Sequence, residues 1–193
     1  TMIVMGSRGM GGLSGMVMGS VSASVVSHAS CPVVVVREDN HVTDSTKYGP
    51  VVVGVDGSEV SQKATAYAFR EAQARGAALI AVHTWMDMQV QASLAGLSAA
   101  QSEWADIEKE QSELLTENLK EPREEYPEVE VKKLITRDRP VSALTEAAEG
   151  AQLLVVGSHG RGGFKGMLLG STSRALLQSA PCPMMVVRPD EES

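Results

Sequence analysis

Short, nearly unbroken apolar runs alternate with amphipathic stretches along most of the chain. Val51–Val55 is a β-branched run interrupted only by Gly54, which suits a strand buried on both faces. Ser58 is placed to cap a helix over Glu59 to Arg75; Ala64, Tyr67, Ala68, Glu71 and Ala72 share one stripe of it, and Gly76 supplies the stop. The pattern then predicts a strand over Ala78–Trp85, a Met- and Gln-rich connection over Met86–Leu97, a helix over Ser98–Lys120 and a strand over Val129–Ile135. Pro140 opens a helix to Glu149, and Leu153–Val156 is a further strand. The glycine-rich turn Gly157–Gly166 leads into a helix ending near Gln178, and Pro183–Val187 is the last strand. Such alternation predicts an α/β fold, a doubly wound five-stranded parallel sheet with helices on both faces.

The chain also repeats itself. Met2–Asp39 aligns without a gap on Leu153–Asp190 at an offset of 151 residues, with 18 of 38 positions identical. The offset far exceeds a solenoid period and implies two copies of one domain. Residues 1–39 read as the C-terminal β-α-β part of a first copy, 40–47 as a polar linker, and 48–190 as a complete second copy. Opening on a strand and without an initiator methionine, the first copy is expected to continue upstream.

Composition narrows the function classes. Asp and Glu number 24 against 17 Lys and Arg, giving a net charge of −7 with no basic cluster, which argues against a nucleic-acid partner. The acids crowd into Glu121–Glu130, where Pro122 and Pro127 predict a solvated connection. No apolar stretch approaches the roughly 18 residues of a membrane span, and the N-terminus lacks the regions of a signal peptide. The expectation is a soluble, cytoplasmic protein with no membrane partner. Cys31 and Cys182 each precede a proline and an apolar run, and read as packing residues in a reducing compartment.

Open parallel sheets bind ligands beyond the carboxyl ends of their strands, where strand order reverses. Asp56 leaves one such end and Gly157–Gly166 another. A loop poor in Cβ atoms lets backbone N–H groups approach an anion, and the following helix N-terminus adds unpaired donors, so phosphate is the natural guest. The spacing is not that of a P-loop, since Lys165 follows Phe164 and precedes Gly166, nor of the dinucleotide fingerprint, since Lys165 stands where the third glycine belongs. The pattern present is Gly157-x2-Gly160-x9-Gly170-Ser171, and it returns as Gly6-x2-Gly9-x9-Gly19-Ser20.

With Val-Val-Val-Gly-Val-Asp-Gly-Ser at Val51–Ser58 and Gly-Ser-His-Gly-Arg-Gly-Gly at Gly157–Gly163, the sequence resembles the universal stress protein family, in its ATP-binding branch and tandem-domain form. The resemblance covers Tyr48–Asp190 and the partial copy in Met2–Asp39. It implies an adenine nucleotide alpha hydrolase-like fold with ATP, with or without Mg2+, across the strand ends. Gly54, Val55 and Asp56 would approach the nucleoside, Asp56 near the ribose or a phosphate-bound metal, and Asp87 would lie near the adenine. Gly157, Ser158, His159, Gly160, Arg161, Gly162 and Gly163 would wrap the phosphates, and Gly170, Ser171, Thr172 and Ser173 would complete the cradle, with charge from Arg161 and Lys165. The resemblance further implies antiparallel pairing of the fifth strands, Val33–Val36 with Met184–Val187, as a pseudo-dimer or homo-oligomer. The partial first site keeps Gly6, Gly9, Gly19 and Ser20 but has no first-strand Asp, and carries Met10 and Ser14 in place of Arg161 and Lys165. It should not bind nucleotide unless another chain completes it.

Several of these residues have a second reading. Gly54 also suits a strand on which a helix packs closely, Asp56 a capping carboxylate, and Asp87 an exposed loop acid. His159 is matched by Arg8 in the first copy, so it reads as a loop or phosphate contact in preference to a catalytic base. Met16, Met18, Met167, Met184 and Met185 fall on packing positions; Trp85 is expected near the pocket and Trp104 on a helix flank. His28, His41, His83 and His159 have no metal-ligand spacing, and no nucleophile–base pair emerges. The expected function is a nucleotide-dependent stress-response regulator; the alternatives are a slow ATP hydrolase or phosphotransferase using Asp56 and a divalent ion, and a dimerisation scaffold with a vestigial site.

Overall fold

In a computed structural model, the described residues are 1–7, 18–38, 40, 48–85, 101–161 and 168–189, with 101–105 described as backbone within a helix. Most of the linker, the Met- and Gln-rich connection with Asp87, and Gly9, Gly162, Gly163, Lys165, Met16 and Met167 lie outside them, as does the side chain of Trp104.

The elements in chain order are β1 (Ile3–Gly6), α1 (Ser20–His28), β2 (Val33–Val36), β3 (Val51–Gly54), α2 (Glu59–Arg75), β4 (Leu79–Thr84), α3 (Gln101–Glu125), β5 (Val131–Thr136), α4 (Pro140–Ala147), β6 (Leu153–Gly157), α5 (Ser171–Ser179) and β7 (Met184–Val187). They form one seven-stranded sheet in the order β1-β2-β7-β6-β3-β4-β5. The five strands of the long copy are mutually parallel, and strand order reverses between β3 and β6.

Alternation along each strand divides the core between two faces. Val51, Val53 and Val55 point with Leu153 and Val155 to one side, where Ala64, Ala68 and Phe69 of α2 and Leu115 and Leu119 of α3 cover them. Val52, Leu154 and Val156 point to the other, against Leu144 of α4, Leu176 and Leu177 of α5, and Val26 of α1. Helix α2 runs from its Ser58 cap to a left-handed Gly76 with φ of 59°, matching the local signals.

One element departs from expectation. The start of the acidic stretch, expected as a connection, continues α3 as far as Glu125 with Pro122 inside it. An interior proline costs about 3 kcal/mol through its missing N–H and its clash with the preceding turn. The buried Leu115 and Leu119 hold the helix on the sheet, Tyr126 N donates to the Pro122 carbonyl at 2.9 Å, and the Tyr126 ring lies 6.2 Å from that of Phe69. Tertiary packing on both sides of the proline overrides the local break.

The two copies meet at β2 and β7, which pair antiparallel with Val33 opposite Val186, Val34 opposite Met185 and Val35 opposite Met184. Val34 and Met185 occupy equivalent positions of the repeat, so its local two-fold axis passes between them. Donors cross this seam to the carbonyls that end the helices: Arg188 Nη1 donates to Ala29 O at 3.3 Å, and Asn40 Nδ2 to Ala180 O at 3.4 Å. Each caps the negative end of a helix belonging to the other copy.

The outer edges differ. Strand β5 carries the exposed Lys132 and Lys133, whereas β1 exposes Val4 at 63% although its counterpart Val155 is at 0%. No helix among the described residues is long and apolar enough to cross a membrane.

Cys182 packs in the core beside Leu154, and burial pushes its thiol up to about 12. At pH 8 the native protein should therefore react with an aromatic disulfide reagent first at the half-buried Cys31, and at Cys182 only on unfolding. Equal rates at both sulfurs would contradict this packing. The raised value favours the fold below the thiol's ordinary pKa of 9.0, and that contribution is lost as pH climbs from there towards about 12.

Candidate functional site

Beyond Gly54 the chain leaves the sheet through a turn held by side chains. Val55 N donates to Val82 O at 2.8 Å, and Asp56 N to Ser61 Oγ at 3.0 Å. Asp56 Oδ1 accepts from Ser58 N at 2.9 Å and from Ser58 Oγ at 2.7 Å, while Ser58 Oγ accepts from Ser61 N at 3.2 Å and so caps α2. Gly57 takes the φ of 80° that this tight turn requires. The second oxygen of Asp56 faces the neighbouring strand end, where Oδ2 accepts from Arg161 N at 3.1 Å.

The glycine loop leaves β6 through a closed stem. Ser158 N donates to Val187 O, Gly170 N to Ser158 O and Ser173 Oγ to Gly157 O, each at 2.7 Å. This pulls the first turn of α5 against the strand end. A Cβ on Gly170 would stand 3.2 Å from His159 Cα, and one on Gly157 would stand 3.0 Å from Val60 Cγ1 of α2. A Cβ on Gly160 would collide with Asp56 Oδ2. The Arg161 guanidinium lies over Gly57, with Nη2 2.7 Å from where a Cβ would be. Helix α5 has glycine at its N-cap, no side-chain cap and no acid in its first turn, which leaves its positive end open to an anion.

The same stem is built in the short copy. Ser7 N donates to Val36 O at 2.8 Å, Gly19 N to Ser7 O at 2.8 Å and Ser22 Oγ to Gly6 O at 3.0 Å. Ser20 opens α1 as Ser171 opens α5.

The structure thus brings Asp56 together with Gly157, Ser158, His159, Gly160, Arg161 and the start of α5 at Gly170–Ser173. Other expected site residues are placed differently. A Cβ on Gly54 would meet Leu144 Cδ1 of α4 at 3.2 Å, which is the close-packing reading. The Val55 side chain is in the core and does not line the surface turn. The capping reading holds for Ser58; Asp56 does not cap the helix but holds the Asp56–Ser58 turn. His159 Nδ1 lies 3.0 Å from Ser158 Oγ, but Ser158 is fully buried, so the pair serves the stem and presents no open nucleophile. Trp85 is buried at the end of β4, with the Arg137 guanidinium 5.6 Å from its ring centroid. Among the described residues no group of three or more His, Cys, Asp or Glu is placed to hold a metal.

Sequence reasoning missed Ser61, Gly57, His83 and Gln111. Ser61 is buried in the first turn of α2, and His83 is buried within an otherwise apolar strand. A polar residue in an apolar phase of the pattern was the available signal.

Fold and site together define an α/β protein in which the turn after β3 and the start of the glycine-rich segment after β6 meet at the switch point of a parallel sheet. The sequence matches the Universal stress protein family over residues 1–37 and 47–188, and the chain belongs to that family. It is 46% identical over 187 residues to universal stress protein Rv2005c of Mycobacterium tuberculosis, covering 97% of this chain and 61% of that protein. A universal stress protein of Mycolicibacterium smegmatis is 45% identical over 188 residues, with 97% and 62% covered. The chain therefore spans about three fifths of the length of these relatives. Among solved structures, a universal stress protein from Archaeoglobus fulgidus is similar with a TM-score of 0.65 at 26% identity, covering 97% of this chain and 62% of that one. A universal stress protein in complex with cAMP is similar with a TM-score of 0.57 at 26% identity, covering 75% and 99%.

Gly160 does not need a positive φ, so only its neighbour forbids a side chain. Gly160→Ala is expected to destabilise the protein by about 1–3 kcal/mol in urea unfolding. Most of that loss should vanish in an Asp56→Ser background, because the colliding carboxylate is gone. Additive effects of the two substitutions would show that the contact does not set the loop.

Proposed function

We propose that this chain binds an adenine nucleotide, ATP in the first instance, and acts in the cytoplasm as a nucleotide-dependent regulator. The observation that carries the reading is the hydrogen bond from Arg161 N to Asp56 Oδ2. It draws the turns leaving β3 and β6 together at the switch point, directly beside the open N-terminus of α5. The donors there are backbone N–H groups and the hydroxyls of Ser171 and Thr172, which suit phosphate oxygens. The base would extend past Asp56 towards the end of β4. A phosphate-bound Mg2+ would find Asp56 Oδ2 as the available carboxylate, with one lone pair already engaged by Arg161. The cAMP complex of a 26% identical relative supports the ligand class.

The repeat belongs to the same proposal. Residues 1–39 form part of a first domain, 40–47 a linker and 48–190 a complete second domain, paired as a pseudo-dimer through β2 and β7. The short copy keeps the phosphate-side stem but has no described counterpart of the Asp56 turn. One nucleotide per chain is expected.

Calorimetric titration with ATP, ADP, AMP and cAMP, with mass spectrometry of any ligand retained on purification, tests this reading. ATP should bind with a stoichiometry near one, and Asp56→Ala should weaken it on the order of tenfold or more, as expected for loss of a charged hydrogen-bonding group. Absence of binding at millimolar nucleotide would overturn the reading in favour of a scaffold.

A further inference from the structure

We propose that His83, through Gln111, is a positioning residue for the Val55–Asp56 turn, and hence for the nucleoside side of the proposed site. His83 lies in β4 at 2% exposure, with Nδ1 2.6 Å from Val55 O and Nε2 2.9 Å from Gln111 Oε1. Gln111 is at 4% exposure on α3.

The ladder between β3 and β4 ends with Gly54 opposite Val82, and Val55 N makes one last bond to Val82 O at 2.8 Å. The carbonyl of Val55 has left the ladder in a region closed to water, where an unpaired acceptor is costly. His83 supplies the missing donor. A carbonyl only accepts, so Nδ1 carries the proton on that side. On the other side of the ring Nε2 meets the Gln111 side-chain amide at 2.9 Å. A continuous polar link then runs from Gln111 through His83 to the Val55 carbonyl.

With the ladder bond on Val55 N, that chain leaves both polar groups of Val55 fixed, and the next amide is fixed in turn by Ser61 Oγ. The direction in which Asp56 leaves the sheet is thereby set from behind, by a side chain that does not face the ligand. Neighbouring buried positions on β3 and β4 are Val, Ala and Leu, whose packing needs no polar pair. The pair also ties the strand exit to α3, the helix that follows residues 86–100, so that a nucleotide resting on Asp56 and the placement of α3 share one hydrogen-bonded link.

The proposal rests on the nucleotide reading for its affinity effect but not for its structural one, and the test separates them. In the full chain, His83→Leu removes the donor, whereas His83→Asn keeps an N–H close to the place of Nδ1. Amide hydrogen exchange over residues 55–61 should accelerate on the order of tenfold in His83→Leu, as for loss of one buried hydrogen bond, while β6 and β7 keep parental protection. ATP affinity should fall by about the same factor, and His83→Asn should recover most of both. Unchanged local exchange in a folded His83→Leu protein, or failure of His83→Asn to recover it, would overturn the positioning role. If the parent chain binds no ATP, the nucleotide reading fails, and the exchange data alone still decide whether His83 sets the turn.

Discussion

The hydrogen bond from Gly170 N to the Ser158 carbonyl, at 2.7 Å, is the constraint on which the site depends. It brings the residue before α5 back to the residue after β6, so the start of the helix is held against the strand end. Closure at that distance leaves little room for a side chain at Gly170, whose Cβ would stand 3.2 Å from His159 Cα. It also sets the first turn of α5, which has a glycine N-cap and no side-chain cap, beside the strand ends. The stem recurs between Ser7 and Gly19 at 2.8 Å, so the geometry belongs to the repeated unit and survives where the first-strand turn is not part of the described chain.

Features encoded by neighbouring residues were legible. Ser58, the alanine stripe and Gly76 specify α2 within one continuous segment, and the structure has the same boundaries. The glycine spacing marked the loop because a repeat displays it twice. What was not legible depends on contacts between distant segments. Asp56 and Arg161 are 105 residues apart, and no local pattern says that one accepts from the other. Gly54 looked like a ligand approach because it precedes Asp-Gly-Ser, but Leu144 of α4 is what occupies the space beside it. Pro122 reads as a break in sequence and is overruled by Leu115, Leu119 and Tyr126, whose packing the helix periodicity alone does not weigh.

The seam between copies shows how the sheet handles its edges. In the long copy alone β7 would end the sheet, with Met184–Val187 as an apolar edge strand of the kind that invites pairing. Antiparallel pairing with β2 removes that edge, and Arg188 and Asn40 reach across it to the helix ends. The remaining edges are unequal: β5 is guarded by Lys132 and Lys133, while β1 presents Ile3, Val4 and Met5 without a charge. The short copy is thus covered on the side that faces its twin and exposed along β1 on the other.

Asp56 determines what kind of chemistry the site favours. A carboxylate acting as a base needs a free lone pair aimed at a substrate proton, and a principal metal ligand needs open coordination. Here Oδ1 holds the amide and hydroxyl of Ser58, and Oδ2 holds Arg161 N. Oδ2 keeps one lone pair, and drawing the carboxylate away from its present partners would release the turn. The other pair with a catalytic look, Ser158 and His159, has its hydroxyl buried within the stem. Both arrangements commit polar groups to holding backbone in place, so under the nucleotide reading proposed above the site's donors would serve to fix a ligand's position.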